Sequence, residues 1–142
     1  MTRVEALVKR RPVTIDSKAS IKQAAELFAK EGIGLIVVAS SANPQRAEAV
    51  VSERDVVRAV AYGSHLGTSL DSIASKDLVS VRRSDLPSKA AKLMMERGIR
   101  HLIVENDDGT LFGVLSIRDF FREDRLLQSF INDEAHDAHG TD

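Results

Sequence analysis

Towards its C-terminal end the chain reads Gly113-Val114-Leu115-Ser116-Ile117-Arg118-Asp119, followed by Phe120-Phe121. This pattern is typical of an apolar strand that runs directly into a helix, with a small hydroxyl residue at the junction. The same design occurs earlier in the chain as Ala49-Val50-Val51-Ser52-Glu53-Arg54-Asp55, followed by Val56-Val57. A junction that recurs with its flanking apolar residues indicates two copies of one supersecondary unit.

The match extends upstream of both junctions. Pro12-Val13-Thr14-Ile15 corresponds to Leu78-Val79-Ser80-Val81, and Gly32-Ile33 corresponds to Gly98-Ile99 with the same spacing between the copies. The spacing between the copies then shrinks across a polar run that is two residues longer in the first copy, at 40–46, than in the second. A length change confined to a turn is expected between two copies of one fold, so we interpret the chain as a tandem repeat.

Composition limits the classes of protein to which the chain belongs. Of the 142 residues 43% are apolar, enough for a packed core. The formal net charge is −1, so no global field recruits nucleic acid or an acidic membrane. The chain has no Cys, which excludes disulfides, a cysteine zinc site and a thiol nucleophile. The start lacks a signal peptide and no run reaches membrane-spanning length, so we expect a cytoplasmic protein.

Each copy is predicted to run strand, helix, strand, strand, helix. The predicted strands are 13–15, 35–39 and 47–51 in the first copy, and 78–81, 101–105 and 111–115 in the second. The predicted helices begin at Ser20, with Gln23 completing a capping box, at Ser52, at Asp85 and at Ser116. The last helix is expected to continue through Phe120-Phe121 towards Phe130, and 132–142 to fray.

These elements predict an α+β fold of two β-α-β-β-α repeats that pack sheet against sheet with pseudo-twofold symmetry. One unit of about 60 residues buries too little surface to be comfortably stable alone, which favours such a pair. The expected division of the chain is a first repeat at 1–62, a linker at 63–69, a second repeat at 70–126, and a helix end with a polar tail at 127–142.

This order, with its two Ser-x-Arg-Asp junctions, resembles a pair of cystathionine-beta-synthase (CBS) motifs over roughly 4–62 and 70–123. The second copy fits the family pattern of a glycine, two apolar residues, Ser or Thr, two free positions and Asp, here Gly113 to Asp119. The first copy departs from it by carrying Ala49 in place of the glycine. The resemblance implies a regulatory module that binds adenosyl ligands, namely AMP, ADP, ATP or S-adenosylmethionine, in two clefts between the repeats.

The resemblance also implies a role for each matching position. Asp55 and Asp119 match the carboxylate that accepts hydrogen bonds from ribose hydroxyls, and Ser52 and Ser116 match the hydroxyl that faces the phosphate or ribose. A polar position on the first strand lines the cleft that the other repeat completes. One cleft would therefore combine Ser116 and Asp119 with Thr14, and the other would combine Ser52 and Asp55 with Ser80.

The junctions support binding on physical grounds as well. A helix N-terminus presents unpaired N–H groups to an anion, and Arg54 and Arg118 lie close enough in sequence to add charge-assisted hydrogen bonds. Ser-x-x-Asp before an apolar run is equally a capping box, which requires no ligand. The two roles are compatible, because the same serine caps the helix when no ligand is bound.

Arg100-His101 is a further basic pair, at a position where some CBS sequences contact phosphates. The first copy has Gly34-Leu35 at the corresponding place, so the clefts should differ in charge. We expect the cleft that uses Arg100 or His101 to prefer a more phosphorylated ligand. The alternative is a strand start that is merely solvated.

Two more basic clusters, Lys9-Arg10-Arg11 and Arg82-Arg83, flank the first strand of each copy. Such clusters are usually solvated, although they are able to reach phosphates of a ligand or of a nucleic acid. With one Tyr and no Trp, the chain offers few stacking platforms for single-stranded nucleic acid. No catalytic motif and no metal site is predicted.

The sequence therefore predicts a non-catalytic sensor of adenine nucleotides that signals to an unidentified partner protein and requires no cofactor. The apolar faces Val56-Val57-Val60 and Phe120-Phe121 predict a homodimer. The alternatives are a ligand-free interaction scaffold, in which the junctions are only helix caps, and a weak nucleic-acid binder that uses the basic clusters.

Overall fold

The computed structural model describes residues 2–121 and 123–139. The first repeat contains β1 (Thr14–Ile15), α2 (Ile21–Glu31), β2 (Leu35–Val38), β3 (Ala49–Ser52) and α3 (Glu53–Ala61), preceded by the short helix α1 (Val4–Leu7). The second contains β4 (Ser80–Arg82), α4 (Pro87–Arg97), β5 (His101–Glu105) and β6 (Leu111–Ser116), preceded by the 3-10 helix η1 (Leu70–Ser72). A second 3-10 helix, η2 (Ile117–Phe120), and α5 (Glu123–His139) complete the chain.

Each repeat forms a three-stranded mixed sheet, in the order β1-β2-β3 and β4-β5-β6. The register repeats along with the sequence, because Thr14 pairs with Val37 and Ser80 pairs with Ile103 in parallel ladders. After the turn, Ser52 lies opposite Leu35 and Ser116 opposite His101 in antiparallel ladders. The change in spacing between the copies at the turn is thus present in the strand pairing, and the predicted α+β tandem repeat is confirmed.

The helix signals that were read from the sequence are present as well. Ser20 and Gln23 form a reciprocal capping box at the start of α2. Gly32 ends that helix with φ 63°, a left-handed conformation that a glycine adopts without a steric penalty. Pro87 occupies the first turn of α4, and Gly98 ends it with φ 62°. Both α2 and α4 are thereby delimited by local chemistry.

Two hydrophobic cores hold the repeats together. The first core packs α2 against its sheet through buried side chains that include Phe28, Ile36 and Val51. The second packs α4 against its sheet through buried side chains that include Met94, Leu102 and Leu115. Each core also takes in a residue from the segment that precedes the other repeat, since Val4 belongs to the second core and Leu70 to the first.

Three expectations need correction. The last helix does not run continuously from Ser116. η2 ends at Phe120, the next residue, Phe121, has an extended backbone (φ −146°, ψ 160°), and α5 is a separate helix. The stretch from 132 to 139 is the end of α5 and not a frayed tail, while 140–142 lie outside the described residues. The strands 47–51 and 78–81 begin two residues later, at Ala49 and Ser80. Within the described ranges, no helix combines the length and apolar character needed to span a membrane.

Candidate functional site

Two cavities open between the repeats, one at each Ser-x-Arg-Asp junction. The first cavity, of about 380 Å³, lies at the junction of β6 and η2 and includes Ser116, Arg118 and Asp119 in its wall. The second cavity, of about 530 Å³, lies at the junction of β3 and α3 and includes Ser52, Arg54 and Asp55. Both volumes fall in the range of small-molecule sites.

Each cavity is closed by the repeat that does not supply its junction. Residues 9–13, which lead into β1, form the opposite wall of the first cavity, together with 32–35. In the second cavity the wall comes from Ser75, Asp77 and Val79, which lead into β4, and from 97–101. The two opposite walls are built from equivalent segments of the two repeats, as expected for two copies related by a pseudo-twofold axis.

Both junctions form capping boxes. The Ser52 N–H donates to Oδ2 of Asp55 at 2.8 Å, and the Asp55 N–H donates to Oγ of Ser52 at 3.1 Å. The Ser116 N–H likewise donates to Oδ2 of Asp119 at 2.8 Å, and Oγ of Ser116 accepts from the Arg118 N–H at 3.3 Å. The cap therefore fixes each carboxylate at the rim of its cavity.

The capping hydrogen bonds use only one carboxylate oxygen of Asp55 and of Asp119. An ionised carboxylate has two oxygens with several lone pairs. Oδ1 of Asp55 and of Asp119 accepts no hydrogen bond from the described part of the chain. Each aspartate is thus able to receive a ligand hydroxyl while its helix stays capped.

Thr14 and Ser80 lie outside both cavities. Each is exposed and pairs in its sheet with Val37 and Ile103 respectively, and the residue before it, Val13 or Val79, lines the cavity instead. The physical reason is the pleat, since successive side chains of a strand point to opposite faces. The expected polar contribution of the first strands is therefore replaced by an apolar one.

Arg100 and His101 line both cavities, along with Gly34, Leu35 and Glu53. The expectation that this basic pair marks one cleft only needs correction, because the pair lies against the equivalent strand start of the first repeat and borders both cavities. His101 packs closely on the first repeat, such that a methyl group on Gly34 would lie 3.1 Å from its Cε1.

Burial lowers the pKa of His101 below its usual value. The nearby carboxylates of Asp119 and Glu53 oppose this effect, whereas the charges of Arg118 and Arg100 add to it. The imidazole is therefore predominantly neutral near pH 7. An anionic ligand in either cavity would favour its protonation.

The predicted site left out several residues that line the cavities. Lys9, Arg10 and Arg11 line the first cavity, although the sequence favoured a solvated cluster that was only able to reach a phosphate. Asp77 and Arg97 line the second, and nothing in their spacing distinguished them from solvated residues. Their roles depend on which wall each segment forms, which is a tertiary property.

The Arg82-Arg83 cluster is not part of either cavity. Arg83 donates to Glu5 at 2.7 Å and to Asn106 at 3.2 Å, and its guanidinium lies 4.2 Å from the ring centroid of Phe112. These contacts tie α1 to the second repeat. The nucleic-acid alternative is weakened accordingly, since one of its two clusters has an intramolecular role.

Comparison with known proteins agrees with the tandem repeat. Residues 4–62 and 70–125 each match the family model described as CBS domain. The chain is similar to the CBS domain protein PAE2072 from Pyrobaculum aerophilum, whose structure is complexed with AMP. The two are 40% identical, the match covers 92% of this chain and 99% of that chain, and the TM-score is 0.82.

Two further relatives extend the comparison. The CBS domain pair of protein MJ0100, solved with 5′-methylthioadenosine and S-adenosyl-L-methionine, shares the fold at 19% identity and a TM-score of 0.77, with 91% of this chain and 98% of that chain covered. An uncharacterized 17.7 kDa protein of Acidianus ambivalens is 28% identical over 121 residues, which are 85% of this chain and 72% of the relative. With both repeats matched over most of its length, the chain belongs to the CBS domain family and carries two CBS domains in tandem.

Proposed function

We propose that this protein is a regulatory module that binds adenine nucleotides in its two cavities, without catalysis, and transmits their level to a partner protein. The observation that carries the proposal is the composition of the first cavity. Asp119 offers a free carboxylate oxygen to a ribose from one side, and Lys9, Arg10 and Arg11 offer cations to phosphates from the other. The AMP complex of the relative that is 40% identical supports the same ligand class.

Regulation would follow from the position of the cavities between the repeats. A ligand that contacts both walls binds best to one arrangement of the two sheets, and its differential affinity shifts the population towards that arrangement. Because His101, Arg100 and Glu53 border both cavities, occupation of one changes the surroundings of the other. Binding at the two junctions is therefore expected to be coupled.

Calorimetric titration with AMP, ADP, ATP and S-adenosylmethionine tests the proposal. Asp119→Ala removes the carboxylate that would accept hydrogen bonds from the ribose hydroxyls. This change should weaken binding in the first cavity by about ten- to 100-fold. The matched control is Asp85→Ala, because Oδ2 of Asp85 accepts the Arg82 N–H at the same 2.8 Å but lines neither cavity. Both variants lose a backbone hydrogen bond, and only the first should lose affinity.

The outcomes separate the proposal from its rivals. Unchanged affinity of Asp119→Ala would remove that residue from the ribose role. No heat and no thermal shift with any adenosyl compound would favour the ligand-free scaffold. A salt-dependent gel shift that Arg10→Ala weakens would favour the nucleic-acid alternative.

We also propose that the chain acts as a homodimer, supported by apolar side chains that nothing in the described chain covers. Val57 and Val60 on α3 are 65% and 58% exposed, whereas Val56 and Phe120 pack against the two cores. On α5 an apolar stripe is equally exposed, formed by Leu126, Leu127, Phe130 and Ile131.

Light scattering after size exclusion tests the dimer. Phe130→Asp places a charge on the stripe and should convert dimer to monomer, whereas Asn132→Asp places the same charge on the opposite, exposed side of α5 and should not. A monomeric wild-type chain would contradict the proposal.

A further inference from the structure

The segments that lead into β1 and β4 occupy equivalent positions in the two repeats but differ in charge. In the alignment of the two repeats, Lys9-Arg10-Arg11 corresponds to Ser75-Lys76-Asp77. Residues 9–11 all line the first cavity, and Ser75 and Asp77 line the second. The same place in the fold therefore presents the cation Arg11 to one ligand and the anion Asp77 to the other.

The other charged residues that line the two cavities do not cancel the difference between Arg11 and Asp77. Besides the Glu53 and Arg100 that both cavities share, the first has Arg118 and Asp119 at its junction. The second has Arg54 and Asp55 at its junction, and Arg97 as well. Counting all charged lining residues of the described chain, the first cavity holds five cations against two carboxylates, and the second holds three against three.

Two of these charges have further partners. Arg10 donates to the carbonyl of Glu31 at 2.9 Å and lies 3.5 Å from its carboxylate, so part of its charge is already compensated. Lys9 and Arg11 have no such partner within the described residues. Arg11 is therefore the better counterpart to Asp77, since both side chains are exposed and without an ion pair in the described chain.

We propose that the two cavities select their ligands by charge at the 5′ position, with Arg11 and Asp77 as the specificity-determining pair. The first cavity takes a nucleoside di- or triphosphate, whose several negative charges match its excess of cations. The second takes an adenosyl compound whose 5′ substituent carries no net negative charge, because Asp77 repels a phosphate chain. The inference rests on the proposed nucleotide-binding function and adds the ligand class of each cavity.

The experiment measures each cavity alone in the full-length protein. Asp55→Ala should weaken binding in the second cavity and Asp119→Ala in the first, so each variant is titrated calorimetrically with ATP, AMP and adenosine at concentrations that fill only its intact cavity. With the second cavity weakened, ATP should bind more tightly than adenosine, and the preference should shrink as salt rises. With the first weakened, adenosine should bind at least as tightly as ATP.

Charge reversal then tests the pair itself. Arg11→Asp should weaken ATP binding to the first cavity by about tenfold, and Asp77→Arg should strengthen ATP binding to the second by about tenfold. Adenosine affinity should change little in both. Lys76→Glu is the matched control, because Lys76 adjoins Asp77 but does not line the cavity. Thermal unfolding of each variant establishes that it is folded.

Each result decides the matter. Identical ligand ranking in the two cavities, or charge reversals that leave the ratio of ATP to adenosine affinity unchanged, would overturn the charge assignment alone. Absence of binding by all three compounds in wild-type protein would overturn the nucleotide-binding function and the charge assignment with it.

Discussion

Gly113 and Ala49 occupy equivalent positions on β6 and β3, and their difference is compensated by a neighbour. A methyl group at residue 113 would lie 2.7 Å from Cγ1 of Val8, which packs against the second core. The residue equivalent to Val8 in the first core is Ala74, in the same alignment of the repeats. In the second repeat the smaller strand residue, Gly113, accompanies the larger Val8. In the first repeat the larger strand residue, Ala49, accompanies the smaller Ala74.

This exchange of volume predicts the effect of substitution. Gly113→Ala should lower the free energy of unfolding by about 1–3 kcal/mol, because a well-packed core resists an added methyl group. Val8→Ala provides the missing space, so the double variant should be more stable than the sum of the two single effects. Urea denaturation of the four proteins measures this coupling. Strict additivity would show that Val8 is not what excludes a side chain at 113.

His101 predicts a pH dependence of stability, whose sign follows from burial. In the unfolded chain a histidine has a pKa of about 6.5. In the folded chain burial lowers the pKa of His101. Between these two pKa values the unfolded state binds more protons at this histidine than the folded state does. The contribution of neutral His101 to folding stability is therefore complete above about pH 6.5, and it is lost as the pH falls through the folded-state pKa.

Thermal unfolding at pH 7.5 and pH 5.5 measures this effect. His101→Leu copies the equivalent Leu35 of the first repeat and removes the titrating group, so its midpoint should fall less on acidification than that of the wild type. His136→Gln, on the exposed surface of α5, is the control for loss of a histidine. Equal falls in wild type and His101→Leu would contradict the prediction.

At the scale of elements, the features that the sequence predicted correctly are those set by residues close to one another in the chain. The capping boxes at Ser20, Ser52 and Ser116 and the glycine ends of α2 and α4 are local arrangements of side chain and backbone, so the sequence specifies them directly. The equivalent strand pairing of the two sheets was predictable because the two copies repeat one sequence pattern. Asp55 and Asp119 were identified as junction residues from the same repeated pattern.

Elements whose limits depend on packing were not predictable in this way. The apolar period after Ser116 favours a helix, but Phe120 packs against the second core and Phe121 turns extended, which ends η2 after a single short turn. Phenylalanine has only moderate helix propensity, so packing decides the outcome. Thr14 and Ser80 failed to line the cavities for a similar reason, since strands as short as β1 and β4 give no alternation from which to read their faces.

At the scale of the whole molecule, the two repeats exchange their leading segments. The Val4 N–H donates to the carbonyl of Asp85 at 2.9 Å, and the equivalent Leu70 N–H donates to that of Ala19 at 2.8 Å. Val4 and Leu70 are each fully buried, one in the core of the second repeat and the other in the core of the first. The domain limits drawn from sequence, 1–62 and 70–126, remain a prediction, and the exchange shows that neither core is complete within them.

This exchange predicts that the molecule unfolds as one unit. Leu70→Ala should destabilise it by about 2–5 kcal/mol and Val4→Ala by somewhat less, because each leaves a cavity in a core. Since each repeat carries part of the other's core, both variants should lower the stability of both sheets together. Hydrogen exchange in graded urea, followed on peptides from β2 and β5, measures the two sheets separately. Loss of protection in only the first sheet for Leu70→Ala, and only the second for Val4→Ala, would mean that the repeats fold independently.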